Sequence, residues 1–229
     1  FFTMFCCLKT CLNGFPFISQ VPARTKDKPI QLDPEHIGNE VVVVKAGRRV
    51  CGSGCAVGTA PIVQNKAYFE VKLQQDGVWA VGLATQGADL NKVVGGADKD
   101  SWCLNSDGTV RHNNVELYHL SKPTQDIPPT DFLTTSVPAN GIEKPSEPST
   151  NSPATMPVEG DTIGIAFDHI ELNYFLNGKN MEVPVRNIKG TVYPALYVDD
   201  GAILDVIFDN FLYPPPSGYE QIMIEQSLL

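Results

Sequence analysis

The stretch GDTIGIAFDHIELNYFLNGKN, residues 160–180, decides the fold. Apolar side chains alternate at Ile163, Ile165 and Phe167, and again, after Asp168 and His169, at Ile170, Leu172, Tyr174 and Leu176. A period of two turns one face of each run toward a core, so both runs read as strands. Asn177-Gly178 tolerates the positive φ of a type I′ two-residue turn, whose twist matches that of the strands it joins. Met181 to Val185 is therefore expected to fold back as the third strand of a meander.

Outward from this meander, strand-like runs recur at residues 30–32, 40–45, 67–73, 79–84, 109–112, 192–198 and 202–208. Gly, Asn, Asp or Pro punctuate them at Gly47, through the glycine-rich residues 52–58, and at Asp76-Gly77, Asp107-Gly108 and Asp200-Gly201. Short strands with frequent turns and no long helical period indicate an all-β antiparallel sandwich rather than alternating strands and helices. The segment 121–157 breaks the pattern. It is rich in Pro, Ser and Thr, shows neither period, and reads as a disordered-type insertion carried by a surface hairpin. Phe132-Leu133 and Ser152-Pro153 within it are candidate docking and modification motifs, with an inert tether as the plainer reading.

With 229 residues, 42% of them apolar and 19% charged, the chain is long enough for one sizeable core. The expected organisation is a leader over 1–27, a β-sandwich over 28–219 that includes the insertion, and a tail over 220–229 packing on the domain. A formal net charge of −9 argues against neutralising nucleic-acid phosphates or docking electrostatically on anionic lipid, and leaves proteins as the expected partners.

Candidate chemical motifs resolve into structural readings. The spacing in GSGCAVG, residues 52–58, lacks a following Lys-Ser/Thr and a helix, so it reads as a glycine-rich turn rather than a phosphate loop. Cys51 and Cys55 stand at metal-ligand spacing, but Cys103 and the four histidines are scattered singly, so buried or half-buried thiols are expected and no metal. Asp168 and His169 are neighbours in a turn, pointing away from one another, and no nucleophile is placed beside them. Trp79 and Trp102 are expected in the core, and Tyr213-Pro214-Pro215-Pro216 to close the last strand onto the domain. No cofactor is expected.

Six blocks, AYFEVKL (67–73), VWAVGLAT (78–85), DSWCLNSDGTVRHNN (100–114), EGDTIGIAFDHIELNYFLNGK (159–179), TVYPALYV (191–198) and AILDVIFD (202–209), resemble in this order the SPRY domain, also called B30.2/SPRY. The resemblance runs from about residue 30 to residue 219, with the 121–157 insertion as a departure between blocks. It implies a bent, concanavalin-like jelly roll of two antiparallel sheets, without catalysis, that binds peptide segments of partner proteins through loops at one end. The loops implied lie near Arg48, Arg49 and Gly52, near Val94 and Gly95, and at Asp199, Asp200 and Gly201. Gly95, Asp199 and Asp200 stand where peptide-binding members carry aromatic and apolar residues.

On the residues alone, two readings of these loops stand. The acidic pair facing Arg48 and Arg49 across a rim makes a charge-patterned pocket that orients a peptide. Alternatively, Asp199-Asp200-Gly201 is a plain hairpin turn and the arginines are solvated. The leader adds Cys6, Cys7 and Cys11 beside Phe5, Leu8 and Leu12, a pattern suited to S-acylation and weak membrane association, or to a leader without that role. Either Met4 initiates the chain or a true beginning precedes Phe1. The first twenty residues are too broken by Lys9, Gly14 and Pro16 for an integral span or signal peptide, and the expected compartment is the cytoplasm. The expected function is a non-enzymatic interaction module, with a structural subunit of a cytoskeletal or ciliary assembly as the alternative.

Overall fold

The computed structural model describes residues 29–120 and 155–224, so the N-terminal cysteines, residues 121–154 of the insertion and the last five residues lie outside the described residues. Fifteen strands and no helix make up the described part. They are β1 (Leu32–Ile37), β2 (Glu40–Val44), β3 (Arg49–Gly58), β4 (Ala67–Gln75), β5 (Val78–Ala84), β6 (Ser101–Asn105), β7 (Thr109–His112) and β8 (Val115–His119). After the insertion come β9 (Thr162–Phe167), β10 (Glu171–Leu176), β11 (Lys179–Asn180), β12 (Val185–Arg186), β13 (Tyr193–Asp199), β14 (Ile203–Ile207) and β15 (Glu220–Gln221).

The alternation that opens the sequence is realised in β9 and β10, which pair from Phe167 opposite Leu172 to Leu176 opposite Ile163. Ile163, Ile165, Phe167, Leu172 and Tyr174 are all buried. Ile170 departs from the expectation and is 70% exposed. It sits in the turn, where the Asp168 carboxylate accepts from the backbone N–H groups of Ile170 and Glu171. Asn177 and Gly178, at φ 49° and 81°, form the expected turn. The third strand of the meander is broken, however. Pairing with β10 stops after β11 and resumes at β12, because Glu182 takes a positive φ and Pro184 has no N–H to give a ladder.

The larger correction concerns residues 52–58, expected as a turn and found within the ten-residue strand β3. Arg49 and Val50 pair with β14, whereas Gly54 to Val57 pair with β13. Between them Gly52 (φ 99°) and Gly54 (φ 124°) bend the strand through conformations that a side chain would resist. One strand thus belongs to both halves of the molecule. In place of two separate sheets there is one curled sheet, a half-barrel ordered β11-β10-β9-β4-β14-β3-β13-β5-β6-β7-β8. Its pairings are antiparallel apart from the two-residue β15 beside β4.

The concave side holds the main core. Phe69, Val71 and Leu73 of β4 and Ile163 and Ile165 of β9 pack there with Trp79, Val81 and Leu83 of β5 and Leu196 and Val198 of β13. Tyr174 spans the two halves, its hydroxyl donating to the Val81 carbonyl at 3.3 Å. On the convex side, Cys55, Ala80, Cys103 and Tyr197 form a smaller buried cluster. The opposite convex surface lies beneath residues 209–222, where Phe211 meets Tyr68 edge-on with ring centres 4.9 Å apart. There the fully buried Glu70 carboxylate accepts from the N–H groups of Leu212 (2.7 Å) and Tyr213 (3.0 Å) and from the Tyr68 hydroxyl (3.0 Å).

A candidate peptide-binding end

Two turns lie side by side at the end of the sheet where β13 passes to β14, and a third segment, which leaves and rejoins the sheet at the opposite end of β5, folds over it as far as Gly54 and Ala80. The first is the turn Asp199 to Ala202, closed by a bond from the Ala202 N–H to the Asp199 carbonyl at 3.0 Å. Asp200 and Gly201, at φ 45° and 81°, give it type I′ geometry, which suits Asp and Gly. It carries the chain from β13 in one half to β14 in the other. The second is Asp76-Gly77, between β4 and β5. A methyl group on Gly77 would lie 2.6 Å from the Asp200 carbonyl oxygen, so the two turns lie side by side.

The third is the segment 85–100 that follows β5. The Leu90 carbonyl accepts from the Cys55 N–H at 2.8 Å, and the Asn91 side chain accepts from the Asn39 N–H at 2.9 Å. Asn105 then clamps Gly95 from both sides, accepting from its N–H and donating to its carbonyl at 3.1 Å each. These bonds hold half-buried Val94 on a rigid underlay.

Gly52, Asp199, Asp200 and Gly201 therefore lie toward one end, linked by the pairing of Gly54 with Val198 and of Asp199 with Val78, whereas Val94 and Gly95 lie over the sheet, Gly95 against Ala80 and Cys103. Gly95 is buried and contributes shape only. Arg48 and Arg49 are placed differently from the expectation of a facing acidic pair. Arg49 lies opposite Asp205 on β14 and forks onto its carboxylate at 2.5 and 2.7 Å, with Lys45 adding a contact at 3.2 Å. Arg48 forks onto Asp209 at 3.2 and 2.8 Å. Burial pushes the Asp205 carboxyl up, but the hydrogen bonds from Arg49 and Lys45 outweigh it and hold the group below the usual carboxylate range. The turn carboxylates of Asp199 and Asp200 are left to solvent, half-buried and exposed respectively.

Asn39 and Asn91 meet beside the bent strand and escaped the sequence reading. Their signal was the Gly38-Asn39 dipeptide, which marks a bend but not what the bend meets.

Elsewhere the chemistry is structural. Asp168 spends its carboxylate on two backbone N–H groups and the Tyr219 hydroxyl, and the His169 ring meets the Gln64 carbonyl at 2.9 Å. Burial pushes the Cys55 and Cys103 thiols up, so neither is a thiolate at neutral pH. Among the described residues no group of three or more His, Cys, Asp or Glu side chains could hold a metal ion, and no helix is long and apolar enough to cross a membrane. A cleft of about 140 Å³ opens between Val57, Leu90 and Tyr193, near the opposite end of the half formed by β13 and β5, and the Asp33–His36 contact of 2.7 Å lies at its wall.

Comparison with known proteins decides the family. The family model of the SPRY domain matches residues 66–211. The chain belongs to the SPRY domain family. It is 42% identical to SPRY domain-containing protein 7 of Bos taurus and of Homo sapiens over 227 residues, covering 99% of this chain and 98% of each relative. Among solved structures, the TRIM65 PSpry domain superposes with a TM-score of 0.53 at 10% identity, covering 80% of this chain and 90% of that one, a likeness of fold. SPRY domains are generally protein-interaction modules and generally non-catalytic.

Proposed function

We propose that this SPRY domain binds a peptide or loop segment of a partner protein through the end that carries the Asp199 to Ala202 turn and the β3 bend, with the Leu90 to Gly96 segment folded over the adjoining sheet. The observation that carries the reading is the Asp199-Asp200-Gly201 turn, exposed at Asp200 and Gly201, beside Gly77 and next to the bent part of β3. Rigid strands present mobile-free contacts, so little ordering entropy is lost when a segment docks. Asp76, Asp199 and Asp200 make this end acidic, which favours a segment carrying basic or amide donors over an anionic one.

Asp199→Asn together with Asp200→Asn removes both charges while keeping a residue type that tolerates the turn. Capture of the partner by the full chain is expected to fall at least about tenfold, the effect of truncating one good charged contact, with thermal unfolding unchanged. Undiminished capture by the double variant would remove this end from the interface.

A further inference from the structure

Among the described residues, four dipeptides join Asp or Asn to Gly: Asp76-Gly77, Asp107-Gly108, Asn177-Gly178 and Asp200-Gly201. In each, the glycine nitrogen can reach the preceding side-chain carbonyl carbon to close a cyclic imide, and glycine has no side chain to hinder that approach. The fold treats the four unequally. Asp107 is held throughout: its carboxylate accepts from the Thr109 N–H and hydroxyl and pairs with Arg111 at 3.0 Å, while the Gly108 N–H donates to the Asn105 carbonyl at 2.9 Å. Asn177 is held at both ends of its carboxamide, which accepts from the Thr162 N–H at 3.0 Å and donates to the Asp161 carboxylate at 2.8 Å. At Asp76 the Gly77 N–H is engaged by the Asp76 carboxylate at 2.9 Å, and Gly77 packs against the Asp200 carbonyl. Asp200 differs from all three. It is exposed, as is Gly201, and neither its carboxylate nor the Gly201 N–H has a hydrogen-bond partner among the described residues.

We propose that Asp200 is a modification site, at which the chain converts spontaneously to isoaspartate ahead of Asp76 and Asp107. The Gly201 nitrogen bonds to the side-chain carbonyl carbon of Asp200, and the N–H hydrogen leaves with the carboxyl hydroxyl as water. Water then adds to either carbonyl of the imide. One opening restores aspartate; the other routes the main chain through the side-chain methylene and leaves the former backbone carbonyl as the free carboxylate. Water is the only co-reactant, and the exposed turn supplies it. The product lengthens the backbone within a tight turn whose central residues sit at φ 45° and 81°, so the bond from the Ala202 N–H to the Asp199 carbonyl is lost. On the reading of this turn as part of the recognition end, on which this consequence rests, the conversion limits the lifetime of the binding-competent chain.

Ageing the folded full chain in warm neutral buffer, with peptide mapping at intervals, tests this assignment. Isoaspartyl peptides keep their mass and are told apart by retention and by electron-transfer fragmentation. Isoaspartate is expected to accumulate at position 200 at least about tenfold faster than at 76 or 107, since a held side chain seldom reaches the geometry of attack. Asp200→Asn makes the same comparison with Asn177. Both positions then carry Asn-Gly at matching backbone angles and differ in side-chain restraint, and position 200 is expected to lose ammonia at least about tenfold faster. No isoaspartate at position 200, an equal rate at 76 or 107, or equal ammonia loss at 177 and 200 would each overturn the proposal. Partner capture by the same aged samples separates the two readings. Capture that falls in step with isoaspartate supports both, whereas capture unchanged at full conversion removes the turn from the interface and leaves the chemistry at Asp200 standing.

Discussion

At Gly95 a methyl group would lie 2.5 Å from the Cys103 Cβ and 2.7 Å from the Ala80 Cβ, both in the close-packed cluster on the convex side. Neither neighbour is the end of a flexible side chain, so the segment above must lift. Gly95→Ala is expected to cost about 1–3 kcal/mol of stability, read by urea unfolding, as overpacking does elsewhere. Asp205 makes a second residue-scale test. Its carboxyl titrates below its unfolded value in the folded protein, so its contribution is present above about pH 4 and is lost as pH falls through the folded value. The stability difference between the wild type and Asp205→Asn is therefore expected to shrink as urea unfolding is repeated at pH values below about 4. A difference that grows on acidification would reverse the sign argued here.

Among the elements, β9 and β10 were legible because alternation, an Asx-type turn and Asn-Gly all point the same way in residues 160–180. The broken third strand shows where that reading ran out: Pro184 interrupts a ladder that the apolar pattern alone would continue. β3 was missed for the opposite reason. Its glycines carry a turn signature, and only the partners on both sides, β14 then β13, reveal a bent strand. Gly54→Ala tests the bend, since its Cβ would lie 2.7 Å from the Leu90 carbonyl oxygen at a φ of 124°. It is expected to cost more than about 1 kcal/mol in chemical denaturation. The strap after β14 gives a further element-scale test. Glu70→Ala strands three donors, the Leu212 and Tyr213 N–H groups and the Tyr68 hydroxyl, and is expected to cost about 3 kcal/mol and to speed amide exchange at Leu212 and Tyr213. Unchanged exchange there would mean that the aromatic packing alone holds the strap.

For the whole molecule, sequence blocks in the right order were enough for the family, because six ordered segments specify a topology far more tightly than any one motif. The candidate site was only half legible. Turn residues announce exposed bends, but which bends meet depends on strand register between residues more than a hundred positions apart, such as Gly54 with Val198. That is why Arg48 and Arg49, near Gly52 in sequence, were grouped with Asp199 and Asp200, whereas β3 carries them into the other half to meet Asp205 and Asp209. The functional account places recognition at the bend end. A photo-crosslinking side chain placed in the full chain at Asp200, at Val94 or at exposed Lys189, which leads into the opposite end of β13, measures this directly. Covalent capture of one partner segment from positions 200 and 94, with little from 189, is expected; equal capture from all three, or capture from 189 alone, would contradict it.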